Sequence, residues 1–125
     1  MYVLVRAESL GKFDQLQQFW GDASRHIVAV VGDLTEPLLG VSDQTRTKLR
    51  GQIKHCFHLG ALYDLTAGNE STDLVNVLGT DHALALADDL TVGCFHLVSS
   101  IAAAGLYPGT FTETMFEEAE GLDHP

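Results

Sequence analysis

Two adjacent hydroxyls, Ser99 and Ser100, close an apolar run that begins at Cys94, and Ala102, Ala103, Ala104 and Gly105 follow them. Such a run reads as a buried strand of a parallel sheet, covered on both faces. Hydroxyls at the carboxyl end of that strand fall where open α/β sheets bind their ligands. The small residues beyond them let a flat ligand approach the backbone. Without a base, a serine hydroxyl placed there stays a weak nucleophile or donor. The plainer alternative is a core strand capped by two serines.

Other groups with chemical potential are scattered. His55 and His58 stand three apart in a strand, so their side chains point to opposite faces. His96 lies in a different strand, and His26, His82 and His124 lie elsewhere, so no metal site is expected. Cys56 and Cys94 each sit inside an apolar run and read as buried thiols. They lack CxxC spacing, which argues against zinc, and they suit a reducing, cytoplasmic setting. The formal charge of −10 repels phosphate backbones, so no nucleic-acid partner is expected. No apolar run reaches membrane-spanning length, and the N-terminal apolar stretch is too short for a signal peptide.

The elements that must position these groups can be read in order. At 125 residues, 46% hydrophobic and 19% charged, the chain fits one globular domain over residues 1–125. Residues 2–5 read as a strand stopped by Arg6. Leu10, Phe13, Leu16 and Trp20 recur at helical spacing, with Gly21 as the stop. Residues 26–31 form a second apolar strand, closed by Gly32-Asp33-Leu34. Pro37 and Gly40 make residues 35–41 a loop, and Ser42 can cap a helix over 43–50. Residues 53–59 give a third strand ending in His58-Leu59-Gly60-Ala61. Residues 62–72 are irregular, with a turn at Gly68-Asn69. Asp73 can cap a helix to about residue 87, with Leu74, Val77, Leu78, Leu84 and Ala87 on its buried side. Strands alternating with helices specify α/β with a parallel sheet and right-handed crossovers. A polar or glycine-containing cluster follows each strand, so the carboxyl edge is the functional one and suits a nucleotide or cofactor.

Five segments in this order carry a family resemblance: Val3-Leu4-Val5-Arg6, Gly32-Asp33-Leu34, His58-Leu59-Gly60-Ala61, Asn76-Val77-Leu78-Gly79-Thr80 and Val98-Ser99-Ser100. Over nearly its whole length the chain resembles extended short-chain dehydrogenase/reductases. The thioester-reductase and fatty-acyl-reductase group is nearest, with sugar-nucleotide epimerases as relatives. The resemblance implies a doubly wound Rossmann domain, NADP or NAD as cofactor, and hydride transfer to an acyl thioester or carbonyl substrate. It implies that Arg6 can pair with a 2′-phosphate and that Asp33 and Leu34 contact the adenine. Leu59, Gly60 and Ala61 correspond to the small-residue turn against the cofactor, where the family more often has alanine at the place of Gly60. Asn76 corresponds to the helix asparagine that steadies the site. Val98 and Ser99 lie on the cofactor side, and Ser100 corresponds to the catalytic hydroxyl.

Two features depart from that family. Gly11, Gly21 and Gly32 do not form the GxxGxxG turn that cradles a pyrophosphate. Tyr2, Tyr63 and Tyr107 are followed four places on by Arg6, Ala67 and Phe111, never by lysine, so the family's Tyr-x-x-x-Lys acid/base pair is missing. The chain thus resembles an internal piece of a reductase, a partial sheet lacking the first, central strand. Its four strands are expected in order 3-2-4-5, either closed up or with a slot at the missing place. Dinucleotide binding is expected to be weak or absent and to engage the adenosine half. Two other readings stand beside this one: a non-catalytic nucleotide-binding or regulatory remnant, and a fragment of a sugar-nucleotide epimerase or dehydratase. The acidic residues from Glu113 to Asp123 read as a solvated surface.

Overall fold

A computed structural model describes residues 1–60, 74–100, 104–115, 117–118 and 121–122. Ala61, the irregular stretch over 62–72, the Asp73 cap, Ala102, Ala103, Asp123 and His124 lie outside the described residues. The elements are β1 (Tyr2–Val5), α1 (Leu10–Trp20), β2 (Val28–Val31), α2 (Asp43–Leu49), β3 (His55–His58), α3 (Gly79–Asp89) and β4 (Cys94–Leu97). Gly21 ends α1 with φ 54°, a conformation that favours glycine. Ser42 caps α2, its Oγ accepting from the Thr45 amide at 3.3 Å. The second strand starts at Val28, not at residue 26, because Gly21–His26 forms a tight helical turn. Ser24 fastens that turn by donating to the carbonyls of Gln17 (3.0 Å) and Gly21 (2.8 Å). Among the described residues no helix is long and apolar enough to cross a membrane.

Among the described residues all pairing is parallel, but it falls into two separate pairs, β1 with β2 and β3 with β4. Tyr2 lies opposite Val28 and Val5 opposite Val31, while His55 lies opposite Cys94 and His58 opposite Leu97. The Val28 amide donates to the Met1 carbonyl (2.9 Å) and the Gly32 amide to the Val5 carbonyl (3.1 Å). The odd-numbered backbone groups of β1 therefore face β2, and those of Tyr2 and Leu4 face away. By the same parity, the backbone groups of His55 and Phe57 face away from β4. Among the described residues β1 and β3 share no ladder, so the two pairs do not close up into one four-stranded sheet.

What joins the two pairs is side-chain packing. Leu39, Val41 and Ala83 are buried together, and Leu4 and Val30 from one pair and Phe95 from the other pack against them with Leu34 and Leu86. Residues 35–41, expected as a plain loop, deliver Leu39 and Val41 into this core. They do so through a turn at Pro37–Gly40 in which Leu38 and Leu39 take φ values of 51° and 56°. Left-handed backbone costs about 1–2 kcal/mol per non-glycine residue, a cost that the burial of Leu39 offsets. The buried side of α3 also differs from expectation. It consists of Gly79, Ala83 and Ala87, while Val77, Leu78 and Leu84 are 57%, 45% and 43% exposed. Small residues let the helix come close to the 34–41 segment: a Cβ on Gly79 would lie 3.1 Å from the Leu34 Cβ. At its far end, Asp89 binds Arg46 Nη1 (2.9 Å) and Arg50 Nη2 (2.6 Å), clamping α3 to α2. Burial raises the Asp89 carboxyl, but the two guanidinium groups outweigh it and hold the group below the usual carboxylate range.

Strand β4 is not covered on both faces, contrary to the reading of a fully buried strand. Cys94 is exposed, since its face of the β3–β4 pair carries no helix among the described residues, whereas Cys56 on the other face is half-buried. Burial pushes the Cys56 thiol upward, so it stays protonated and inert.

Candidate functional site

Each strand runs out into residues singled out by the sequence. Arg6 follows β1, Asp33 and Leu34 follow β2, Leu59 and Gly60 follow β3, and Val98, Ser99 and Ser100 follow β4. These ends gather at one edge. The side chain of Leu34 spans the interruption: a Cβ on Gly60 would lie 2.9 Å from Leu34 Cδ1, so the β3 exit passes close beneath it. Gly79 meets the same leucine from α3. An added Cβ at Gly60 would meet the tip of the Leu34 side chain, which can turn aside, so alanine at that place is compatible with this approach.

Asp33 is held rigidly. Its Oδ1 accepts from the Thr35 amide (2.9 Å) and the Thr35 hydroxyl (2.7 Å), an Asx turn after a strand. Its own amide donates to the Leu39 carbonyl at 2.9 Å. The Thr35 amide and then the Thr35 hydroxyl lower its pKa, and the nearby Arg6 charge adds to this, so the carboxylate stays ionised at neutral pH. Arg6 itself is exposed and pairs with Glu8 at 3.2 Å. An exposed pair of this kind contributes little to stability, and Arg6 can exchange Glu8 for another anion. Leu59 and Val98 are 66% and 55% exposed at the same edge. Val98 extends the β4 pairing, its amide donating to the His58 carbonyl at 3.1 Å. Ser99 and Ser100 are exposed just beyond it.

Asn76 sits one turn before α3, in the wide helical turn Leu74–Leu78. Its carbonyl accepts the Thr80 hydroxyl at 2.7 Å, and the same hydroxyl lies 3.3 Å from His58 Nε2. Because the Thr80 proton goes to Asn76, its oxygen accepts from His58, which places the imidazole proton on Nε2. His58 is buried at the last position of β3, and burial holds its pKa below 6.5. Sequence reasoning misses this His58–Thr80–Asn76 chain. The one signal is the repeated strand-to-edge pattern, which marks His58 as part of a cluster and gives it no role.

A depressed histidine pKa has a stability consequence with a definite sign. The unfolded chain binds the His58 proton more readily than the folded one, so stability is complete above about pH 6.5 and falls as pH drops through the lower folded value. Urea unfolding followed from about pH 8 to about pH 5 is expected to show a falling midpoint. His58→Gln should flatten that part of the slope. An unchanged slope in the variant would assign it to other groups.

The model of an NAD-binding family described as male sterility protein matches residues 1–124. A linear gramicidin synthase from Brevibacillus parabrevis is 33% identical over 109 residues, which cover 81% of this chain and 2% of that protein. Among solved structures, the terminal R domain from the myxalamid PKS-NRPS biosynthetic pathway is similar with a TM-score of 0.73 and 31% identity, over 87% of this chain and 30% of that one. The PhqB reductase domain from Penicillium fellutanum shares the fold, with a TM-score of 0.59 at 24% identity, over 94% and 33% of the two chains. The chain therefore spans a small part of the biosynthetic relative and about a third of the reductase structures it matches.

Proposed function

This chain belongs to the NAD-binding family described as male sterility protein, and from that membership we propose that it supplies the adenosine-binding and carbonyl-polarising edge of a reductase acting on acyl thioesters. The observation that supports this reading is that Arg6, Asp33, Leu34, Leu59, Gly60 and Ser100 follow the carboxyl ends of two parallel strand pairs, with Leu34 of one pair packed on Gly60 of the other, and carboxyl ends are where α/β sheets hold ligands.

The residues fit the group they would hold. Asp33, fixed by Thr35 and kept ionised, is an acceptor for sugar hydroxyls or the adenine amino group. The close packing of Leu34 on Gly60 and Gly79 offers an apolar flank for a flat base. Arg6, its side chain 64% exposed and paired with an equally open Glu8, would bind a 2′-phosphate in this reading, with NADP as the cofactor. A nicotinamide dinucleotide supplies hydride when bound. Ser100 would donate its hydroxyl to the substrate carbonyl oxygen, drawing charge from the carbon. Asn76 would hold the edge in place through Thr80 and His58.

Isothermal titration of the chain with NADPH, NADH and adenosine 2′,5′-bisphosphate tests this assignment. Binding is expected to be weak, with the bisphosphate competing for the NADPH site. Arg6→Ala is expected to weaken NADPH by about tenfold, the scale of one charged hydrogen bond, and to leave NADH unchanged. NADPH affinity that ignores Arg6→Ala, or that the bisphosphate fails to compete, would remove Arg6 from the site.

A further inference from the structure

Outside that edge, the exposed face of the β3–β4 pair brings three strong donors together. Parallel register sets His55 opposite Cys94 and Phe57 opposite His96. The period of two along each strand puts all four side chains on one face. His55 Nδ1 and His96 Nε2 are 3.0 Å apart. The ligand atoms of His55, Cys94 and His96 all lie within 4.8 Å of one another. Tetrahedral zinc with nitrogen and sulfur ligands needs donors separated by roughly 3.3–3.6 Å. The separations here, from 3.0 Å between the ring nitrogens to no more than 4.8 Å, bracket that spacing.

We propose that His55, Cys94 and His96 form a binding site for a zinc-class divalent cation that ties β3 to β4. The donor set is the borderline-soft combination of two imidazoles and one thiolate that such cations favour. One proton bridges the two ring nitrogens at 3.0 Å, so one of them is a lone-pair donor as it stands, and the other becomes one when its ring carries its proton on the remote nitrogen. Phe57 stacks on the His96 ring, with centroids 4.4 Å apart and planes 8° from parallel, and holds that ring in place. Cys94 and His55 are exposed, so the cation has a path in and a water can fill the fourth position. On binding, the Cys94 sulfur forms its bond to the cation as its thiol proton leaves to solvent. The proton bridging the imidazoles is exchanged through solvent to the remote nitrogen of its own ring, so both ligating rings stay neutral. No electron is transferred. Intra-strand spacing alone misses this cluster, because His55 and His58 do face opposite ways and the grouping arises across strands.

The test is cobalt titration of the whole chain under reducing conditions, followed by zinc. Cobalt is expected to give the intense visible bands of tetrahedral coordination and a thiolate-to-cobalt charge-transfer band, and zinc should abolish both. Cys94→Ser should remove the charge-transfer band, and both it and His55→Gln should weaken binding at least about tenfold, the least that loss of even an outer partner costs at such sites. Cys56→Ser, on the opposite face, should change nothing. As a readout that needs no variant, zinc should slow alkylation of Cys94 in the unaltered chain. A charge-transfer band that survives Cys94→Ser, or alkylation at the same rate with and without zinc, would overturn the proposal.

Discussion

The 125-residue chain, purified free of host enzymes, is expected to show no NADPH oxidation in the presence of an acyl thioester. These residues hold no tyrosine with a lysine four places on and no glycine-rich turn of the pyrophosphate-binding kind. A positioned general acid contributes about a hundred- to ten-thousand-fold, and a poorly held dinucleotide compounds its absence. Ser100 alone can polarise a carbonyl oxygen but cannot deliver the proton that the resulting alkoxide needs. His58 cannot substitute, since it is buried, neutral, and directs its Nε2 proton to Thr80. Spectrophotometric assay at saturating NADPH measures this directly. Steady turnover that Ser100→Ala lowers would show a complete catalytic site in this chain and an acid that none of the residues discussed above provides.

Replacing Gly32 with alanine is expected to be among the most damaging single changes. A Cβ there would fall onto the Leu39 carbonyl oxygen and lie 2.6 Å from Leu4 Cδ1. The leucine tip can turn aside, but the carbonyl cannot, because the Asp33 amide holds it at 2.9 Å. Relief requires the 37–40 turn to shift, which would move Leu39 out of its buried place. Overpacking of this kind costs about 1–3 kcal/mol, a large share of the roughly 5–15 kcal/mol that stabilises a typical domain. Denaturant unfolding should show the midpoint lowered with the slope retained. Gly11→Ala, where an added Cβ meets nothing within 4 Å, is the matched control. Equal stability of the two variants would mean that the Leu39 carbonyl is not fixed.

Much of this fold was legible in the residues. The first strand, the Gly21 stop and the Ser42 cap stand where composition and capping chemistry put them. Those signals are local, so one stretch of sequence carries them. The parts that escaped are set by partners distant in the chain. Leu39 and Val41 sit beside Pro37 and Gly40, whose turn chemistry speaks for a loop and is silent about where the loop's side chains go. In α3, hydrophobicity points to the leucines, but closeness to Leu34 selects Gly79 and Ala83. Arg46 and Asp89 meet across 43 positions, a pairing that no spacing announces. The candidate edge was readable as a set of strand ends, because a parallel sheet delivers its carboxyl ends to one side. The His58–Thr80–Asn76 chain joins a strand to a helix entry and needed coordinates.

The interrupted sheet bears on how the chain holds together as a unit. In an unbroken sheet, each strand transmits its order to the next through backbone rungs, so loss of one strand is felt by all. Here the two pairs share no rung among the described residues. An isolated pair of short strands is marginal in water, so neither half is self-supporting. Cooperativity therefore resides in Leu39, Val41 and Ala83, where Leu4 and Val30 of one half meet Phe95 of the other. The loop and the small-residue helix act as the coupler of two weak modules. The ligand edge inherits that arrangement, since Arg6 and Asp33 belong to one module and Gly60 and Ser100 to the other. A ligand spanning the edge would bind the folded, coupled form alone, and would raise the free energy of parting the halves by mass action.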